Sequence, residues 1–224
     1  MILSALALTF ALQACAATDC AAPWPAPMRQ ADGATLSSPY QPDARIELPE
    51  TAVYAGGRRW ALYDVVDAEM HLFVEADADR IVDRLYWIQF EAYLPNRPEA
   101  SYDFHRSDLE TRTLGEAEFF VRPRFGEGAS DAPEPGSDNA MMRAVLAEAG
   151  YTLPAETINA TMKHLLDPDT AREELMIIYI EDLEPTGSTM AEIIETRLEG
   201  PLWAGLSQGV LDRAQDRIAV LPTE

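Results

Sequence analysis

The stretch 69–94 reads EMHLFVEADADRIVDRLYWIQFEAYL and decides the fold. It contains two runs in which apolar residues occupy every second position, which is the period of a β-strand with one buried face. The apolar positions are even-numbered in both runs. A tight turn at residues 77–79 would join the runs as an antiparallel hairpin with matching faces, in which His71 lies opposite Trp87. The sequence therefore predicts a long antiparallel hairpin.

The odd-numbered face of this hairpin carries large aromatic side chains among polar ones. Either helices from the C-terminal part cover it and make a second core, or it lines a cleft. A mostly apolar surface with a few polar groups is the usual composition of a ligand pocket. The predicted ligand-binding residues are Phe73, Trp87, Gln89, Glu91 and Tyr93.

The same face offers one place where an imidazole and carboxylates converge. His71 lies between Glu69 and Glu75, with Glu91 on the neighbouring strand. These are the usual groups of general acid–base catalysis, so His71 and Glu91 form the catalytic alternative. The simpler interpretation is a half-exposed sheet face whose cross-strand pairs stabilise the sheet.

The rest of the chain predicts further strands and three helices. The central helix has Ser137 or Asp138 as its N-cap, and Thr189 with Glu192 forms a capping-box pattern for a later helix. Strands without βαβ alternation indicate an α+β fold. We expect a mainly antiparallel meander sheet with one central and two C-terminal helices packed on it, as a single domain at residues 45–224.

Residues 1–20 resemble a bacterial lipoprotein signal peptide. An apolar run too short to span a bilayer precedes LQAC, in which Cys15 matches the cysteine that receives lipid. Ordinary signal-peptidase cleavage and a short buried helix are the alternatives. Residues 21–44 are rich in Pro and Ala and predict a flexible tether. The resemblance implies a periplasmic or outer-envelope lipoprotein, with a soluble secreted protein as the alternative.

Charge and residue content argue against several classes of protein. The formal net charge of -21 disfavours nucleic acid, and contact with a membrane is expected only through the lipid anchor. Both cysteines, Cys15 and Cys20, precede the predicted domain, which leaves it without a disulfide or a thiolate zinc site. His71, His105 and His164 share no metal-ligand spacing, and no phosphate-binding loop motif occurs. We therefore expect neither a metal nor a cofactor.

Two short motifs have ambiguous meanings. GLSQG at residues 205–209 matches G-x-S-x-G, but no predicted strand precedes Ser207 and no histidine follows it, so we expect a helix. Arg122 and Arg124 share one face of a predicted strand. They could hold an anion, although pairing with the acidic surplus is the expectation in a chain of this charge.

These observations predict an exported, lipid-anchored envelope protein that binds a small ligand or a protein partner without catalysis. One alternative is an acid–base enzyme, such as a hydrolase, that uses His71 and Glu91. Another is a structural envelope component without a ligand site. The state of Trp87 discriminates among them, because a buried Trp87 removes most of the case for a site at this face.

Overall fold

The computed structural model describes residues 25–103, 110–128, 133–196, 198 and 200–223. Within these residues, eleven strands form two antiparallel sheets, and three α-helices accompany them. The predicted α+β fold, with a mainly antiparallel meander sheet, one central helix and two C-terminal helices, is confirmed. The predicted signal peptide at residues 1–20, its predicted lipidation site Cys15, and His105 lie outside the described residues.

The large sheet has the strand order β4-β5-β6-β10-β9-β8-β7, and the small sheet has the order β1-β2-β3-β11. The strands are β1 (Gln30–Asp32), β2 (Thr35–Pro39), β3 (Asp43–Glu47), β4 (Val53–Leu62), β5 (Val66–Ala76), β6 (Val82–Tyr93), β7 (Glu110–Leu114), β8 (Ala117–Glu127), β9 (Glu156–Leu165), β10 (Glu173–Asp182) and β11 (Ala219–Pro222). The helices are α1 (Asp138–Glu148), α2 (Met190–Glu195) and α3 (Pro201–Arg217), and a 3-10 turn covers Glu184–Thr186.

A hydrophobic core lies on each face of the large sheet. On one face, here called the α3 face, side chains such as Phe73 and Ile177 pack with Val210 of α3 and with the small sheet. On the other, here called the α1 face, Leu72 packs with Val145 of α1. Each fully buried side chain of this size contributes about 1.5–3 kcal/mol. Both faces of β5 and β6 are therefore covered.

The helix starts follow the local sequence. The Ser137 hydroxyl accepts a hydrogen bond from the backbone N–H of Ala140, which caps α1. Both bonds of the predicted capping box between Thr189 and Glu192 are present at α2. Ser207 lies inside α3, as predicted, and donates to a backbone carbonyl one turn earlier.

The prediction of a flexible tether at residues 21–44 is wrong for its described part. Strands β1 and β2 lie within it, and Leu36 is completely buried. The backbone N–H of Arg29 donates to the Glu69 carboxylate at 2.8 Å. The folded part of the chain therefore begins well before Arg45, the predicted boundary.

The hairpin of β5 and β6 starts in the predicted register and then leaves it. Ala76 pairs with Val82, but the next pair is Glu75 with Arg84, so Asp83 is an extra residue in β6. Such a β-bulge shifts the register by one residue. Beyond it, a side chain of β6 lies on the opposite face of the sheet from the β5 side chain that it was expected to pair with.

The bulge separates two residues that the sequence places opposite each other. His71 pairs with Ile88, and Trp87 pairs with Leu72. Odd-numbered residues of β5 consequently lie on the α3 face, whereas odd-numbered residues of β6 lie on the α1 face. The predicted odd-numbered face is therefore divided between the two sides of the sheet.

Candidate functional site

The five predicted ligand-binding residues do not form one wall. Phe73 is buried on the α3 face, whereas Trp87, Gln89, Glu91 and Tyr93 lie on the α1 face. Trp87 is 2% exposed and belongs to the core that includes α1. The face at Trp87 is thus a second core rather than an open cleft.

The catalytic alternative fails because of the same bulge. The side chains of His71 and Glu91 lie on opposite faces of the sheet, so they do not converge. The prediction that these two residues form one acid–base pair is wrong.

His71 belongs instead to a hydrogen-bond chain with Glu69 and Tyr54. A carboxylate only accepts, so the hydrogen lies on Nε2 of His71, which donates to Glu69 Oε1 at 2.9 Å. In the neutral ring, Nδ1 accepts the Tyr54 hydroxyl at 3.1 Å. Burial and the charge of Glu69 raise the pKa of Tyr54, which keeps this hydroxyl protonated as a donor. His71 is only 1% exposed, so this row of hydrogen bonds stabilises the packed sheet and is not accessible to a substrate.

Glu69 fastens the N-terminal part of the domain to the sheet. It accepts hydrogen bonds from the backbone of Met28 and Arg29 and pairs with the Arg29 guanidinium at 3.1 Å. Burial raises the pKa of Glu69, but the hydrogen bonds from His71 and the backbone, together with the charge of Arg29, outweigh it and hold the pKa at about 2. A cavity of about 190 Å³ adjoins this pair. Its lining includes Glu69 and Arg29, whose charges already neutralise each other.

A row of polar side chains runs along β6 on the α1 face. Trp87 Nε1 donates to Gln89 Oε1 at 2.8 Å, which fixes the orientation of the amide. The Gln89 nitrogen then donates to Glu91 at 2.6 Å and to Asp138, at the start of α1, at 3.0 Å. Trp87, Gln89 and Glu91 are buried, Asp138 is partly buried, and hydrogen bonds link all four, which makes them a structural layer rather than a ready pocket.

The row ends in a cluster of three carboxyl groups, here called the carboxyl cluster: Glu91, Asp138 and Glu174. Glu91 lies directly opposite Glu174 across β6 and β10. Glu174 is completely buried; Lys163 donates to its Oε1 at 2.9 Å, while Oε2 has no hydrogen-bond partner. A proton shared with Glu91 would satisfy that oxygen, and this is how adjacent buried carboxyls usually exist.

The electrostatics of the carboxyl cluster follow from this crowding. Burial and then the charge of Glu91 raise the pKa of Glu174 to about 7, against the attraction of Lys163. Burial likewise raises the pKa of Asp138 to about 6, opposed by the hydrogen bond from Gln89. The cluster can therefore hold a proton at mildly acidic pH. Perturbed carboxyls of this kind are typical of functional sites but also occur in structural networks.

A loop at residues 94–103 closes over one end of the cluster. Tyr102 donates to Glu91 Oε2 at 3.0 Å, and its ring lies 4.6 Å from that of Tyr93. The guanidinium of Arg172 donates to five backbone carbonyls, those of Tyr93, Leu94, Arg97, Pro98 and Ala100. Tyr93, the outermost predicted ligand-binding residue, is thereby occupied by the loop.

No element among the described residues covers the α1 face over β7, β8 and β9. Helix α1 packs on β4 and β5, and α3 packs on the opposite face. This region, here called the open face, carries Thr111, Thr113, Glu118, Phe120, Arg122, Arg124, Asn159, Thr161 and Lys163.

Arg122 and Arg124 are exposed on the open face. The expectation that they pair with acidic residues is wrong for the described part of the chain, where neither has an ion-pair or hydrogen-bond partner. Burial and the charge of Arg122 lower the pKa of Arg124. Two like charges are thus held side by side, without a counter-charge from the described part of the chain.

The described residues contain no group of three or more His, Cys, Asp or Glu side chains arranged to hold a metal ion. They also contain no helix with the length and apolar character needed to cross a membrane.

Sequence reasoning missed Glu174 and Asp138, which complete the carboxyl cluster. A sequence signal existed for Glu174, because it is a carboxylate at the start of the nearly continuous apolar strand β10. Asp138 gave no comparable signal, since it lies where a helix cap is ordinary.

Comparisons with protein-family models, with curated proteins and with solved structures found no match. The function is therefore argued from the chemistry of the described side chains.

Proposed function

We propose that this protein is an exported, lipid-anchored envelope protein with a non-catalytic binding role, and that it binds through the open face. Export and lipidation are supported by the apolar run and by Cys15 in LQAC. Binding through the aromatic residues of β6 has lost its support, since Trp87 and Gln89 are buried and engaged with each other.

One observation carries the binding proposal: both faces of the sheet are covered over β5 and β6, whereas no element among the described residues covers the α1 face over β7–β9. Threonine, asparagine and arginine side chains there offer hydrogen-bond donors and acceptors on a rigid antiparallel surface. Side chains on strands are positioned more accurately than those on loops, which suits recognition.

A steric block tests the binding surface. Thr161→Trp fills the centre of the open face, and Ala147→Trp places the same bulk on the exposed side of α1 as a control. We expect a small-molecule panel screened by thermal shift to yield ligands that stabilise the wild type and Ala147→Trp but not Thr161→Trp. Ligands that stabilise both variants equally would move the site elsewhere.

The export proposal has its own test. In a Gram-negative host, the full chain should appear in the membrane fraction with the mass of a lipidated protein starting at Cys15. Cys15→Ala should lose the lipid mass. A cytosolic product that retains residues 1–20 would contradict export.

Acid–base catalysis remains a second candidate, now at the carboxyl cluster, because Glu174 and Glu91 are adjacent and the pKa of Glu174 is raised to about 7. It would require movement of the Tyr102 loop, since Glu174 is completely buried. Turnover of chromogenic esters or glycosides that disappears in Glu91→Gln would support it. Without turnover or ligands, the structural envelope component is the remaining interpretation.

A further inference from the structure

We propose that the open face binds a compact dianion, of the phosphate or sulfate type, between Arg122 and Arg124. This inference rests on the proposed binding role of the open face and adds the chemical class of the ligand.

The two arginines form a defined site rather than two scattered charges. They are two residues apart on β8, so their side chains leave the same face with Cα atoms about 7 Å apart. Arg122 lies directly opposite Thr161 and Arg124 directly opposite Asn159 on β9. The Thr161 hydroxyl and the Asn159 carboxamide oxygen lie 3.4 Å apart, which leaves the Asn159 amide nitrogen as a further donor at the surface.

Every other strand arginine among the described residues is paired with a carboxylate. On β3, Arg45 pairs with Glu47 at 2.7 Å, two residues away, and Arg112 on β7 pairs with Glu110 at 2.7 Å in the same way. On β8 the corresponding neighbour of Arg122 is another arginine. Two adjacent arginines repel each other, and a bound anion would relieve that repulsion. The arrangement is notable in a chain with 38 acidic residues.

The chemistry of the site favours a compact ligand. Guanidinium groups donate two parallel hydrogen bonds to phosphate, sulfate or carboxylate oxygens, which favours planar, bidentate recognition. Screening at physiological salt limits electrostatic attraction to about 8 Å. A short dianion therefore senses mainly the two arginines, whereas a long polyanion would extend over a surface whose net charge is strongly negative. Both effects disfavour nucleic acid and favour a small phosphate or sulfate ester or a diphosphate.

Isothermal titration of the mature protein with inorganic pyrophosphate tests the inference, with sodium sulfate as a second probe and ionic strength matched by chloride. We expect pyrophosphate to bind, and binding to weaken at least about tenfold in the double variant Arg122→Gln, Arg124→Gln. Arg45→Gln removes an equally exposed strand arginine that already has a partner, and it should bind as the wild type does. A stronger response to sulfate than to pyrophosphate would identify sulfate esters as the source of the anion.

Three results would overturn the inference: no heat above the chloride control, equal binding by the double variant, or a dimer that dissociates in the double variant and so assigns the arginines to self-association. A neutral ligand blocked by Thr161→Trp, found together with no pyrophosphate binding, would leave the proposed binding face standing and refute its anionic ligand. Circular dichroism of each variant confirms folding, so a loss of binding is not a loss of structure.

Discussion

Replacing Glu174 by glutamine should stabilise the protein at alkaline pH, although the change removes an ion pair. Glu174 is completely buried opposite Glu91. Glutamine keeps the shape of the side chain and can donate the hydrogen bond that an ionised Glu174 cannot. The variant therefore keeps the packing and removes only the buried charge.

The magnitude follows from the pKa of Glu174, which is about 7 against an ordinary value of 4.5. Between these values the folded protein holds the proton and the unfolded chain has released it, so the free energy of unfolding falls as the pH rises. The full difference corresponds to about 3 kcal/mol. The attraction of Lys163 is already included in that pKa, so no separate ion-pair energy is subtracted. Glu174→Gln should thus be about 2–3 kcal/mol more stable than the wild type at pH 8 and within about 0.5 kcal/mol of it at pH 4.5.

Urea unfolding at pH 4.5, 6 and 8, followed by tryptophan fluorescence, measures this difference. Part of the decline should persist in the variant, because the pKa of Asp138 is also raised, to about 6. Glu173→Gln, whose side chain lies on the opposite face, removes the same formal charge and should change stability by less than about 0.5 kcal/mol. If Glu174→Gln is less stable than the wild type at pH 8, the fold prefers the ionised carboxylate and the reasoning fails.

Four further variants test other contacts. Gly57→Ala would place a Cβ 2.7 Å from a tyrosine hydroxyl oxygen and 2.9 Å from a backbone carbonyl, and should destabilise by about 1–3 kcal/mol in thermal unfolding. Gly205→Ala, which meets nothing within 4 Å in α3, should instead stabilise by up to about 1 kcal/mol, and equal effects would contradict this. Glu69→Gln leaves the buried Arg29 without its carboxylate, so it should lower the free energy of unfolding at pH 7 by about 3–5 kcal/mol. Because the pKa of Glu69 is about 2, the wild type should lose this advantage as the pH falls from 4.5 towards 2. Arg172→Ala should speed amide hydrogen exchange in the loop at residues 94–103 and leave the core strands protected, and unchanged exchange there would refute the role of its five hydrogen bonds.

The elements that the sequence predicted correctly depend on local information. The alternation in β5 and β6, the N-cap at Ser137 and the capping box at Thr189 are each encoded within a few residues. Periodicity and capping act over the same short range, so the fold class follows from them. The sequence does not decide whether both faces of the hairpin are buried, because a buried aromatic residue and a cleft-lining one have the same sequence pattern.

The prediction of a tether was wrong because amino-acid composition does not reveal short strands that are stabilised by contacts with distant parts of the chain. Proline and alanine are frequent around residues 21–44, yet β2 contributes the fully buried Leu36 to the core. The contact that fastens this segment joins Arg29 to Glu69, forty residues apart. No local pattern encodes a partner at that separation.

The predicted site on the hairpin was wrong because β6 contains a single extra residue, Asp83. Without Asp83 in the bulge, the register at Ala76 and Val82 would continue and His71 would face the same side as Glu91. A bulge needs no glycine or proline to mark it, and its cost is set by packing on the two faces rather than by the residues in it. Here the shifted register places Trp87 on the α1 face, while His71 stays beside Glu69 on the α3 face. The side chains that first indicated chemistry are therefore used for structure, whereas the two unpaired strand arginines of the described residues, Arg122 and Arg124, lie on β8, which does not pair with the hairpin.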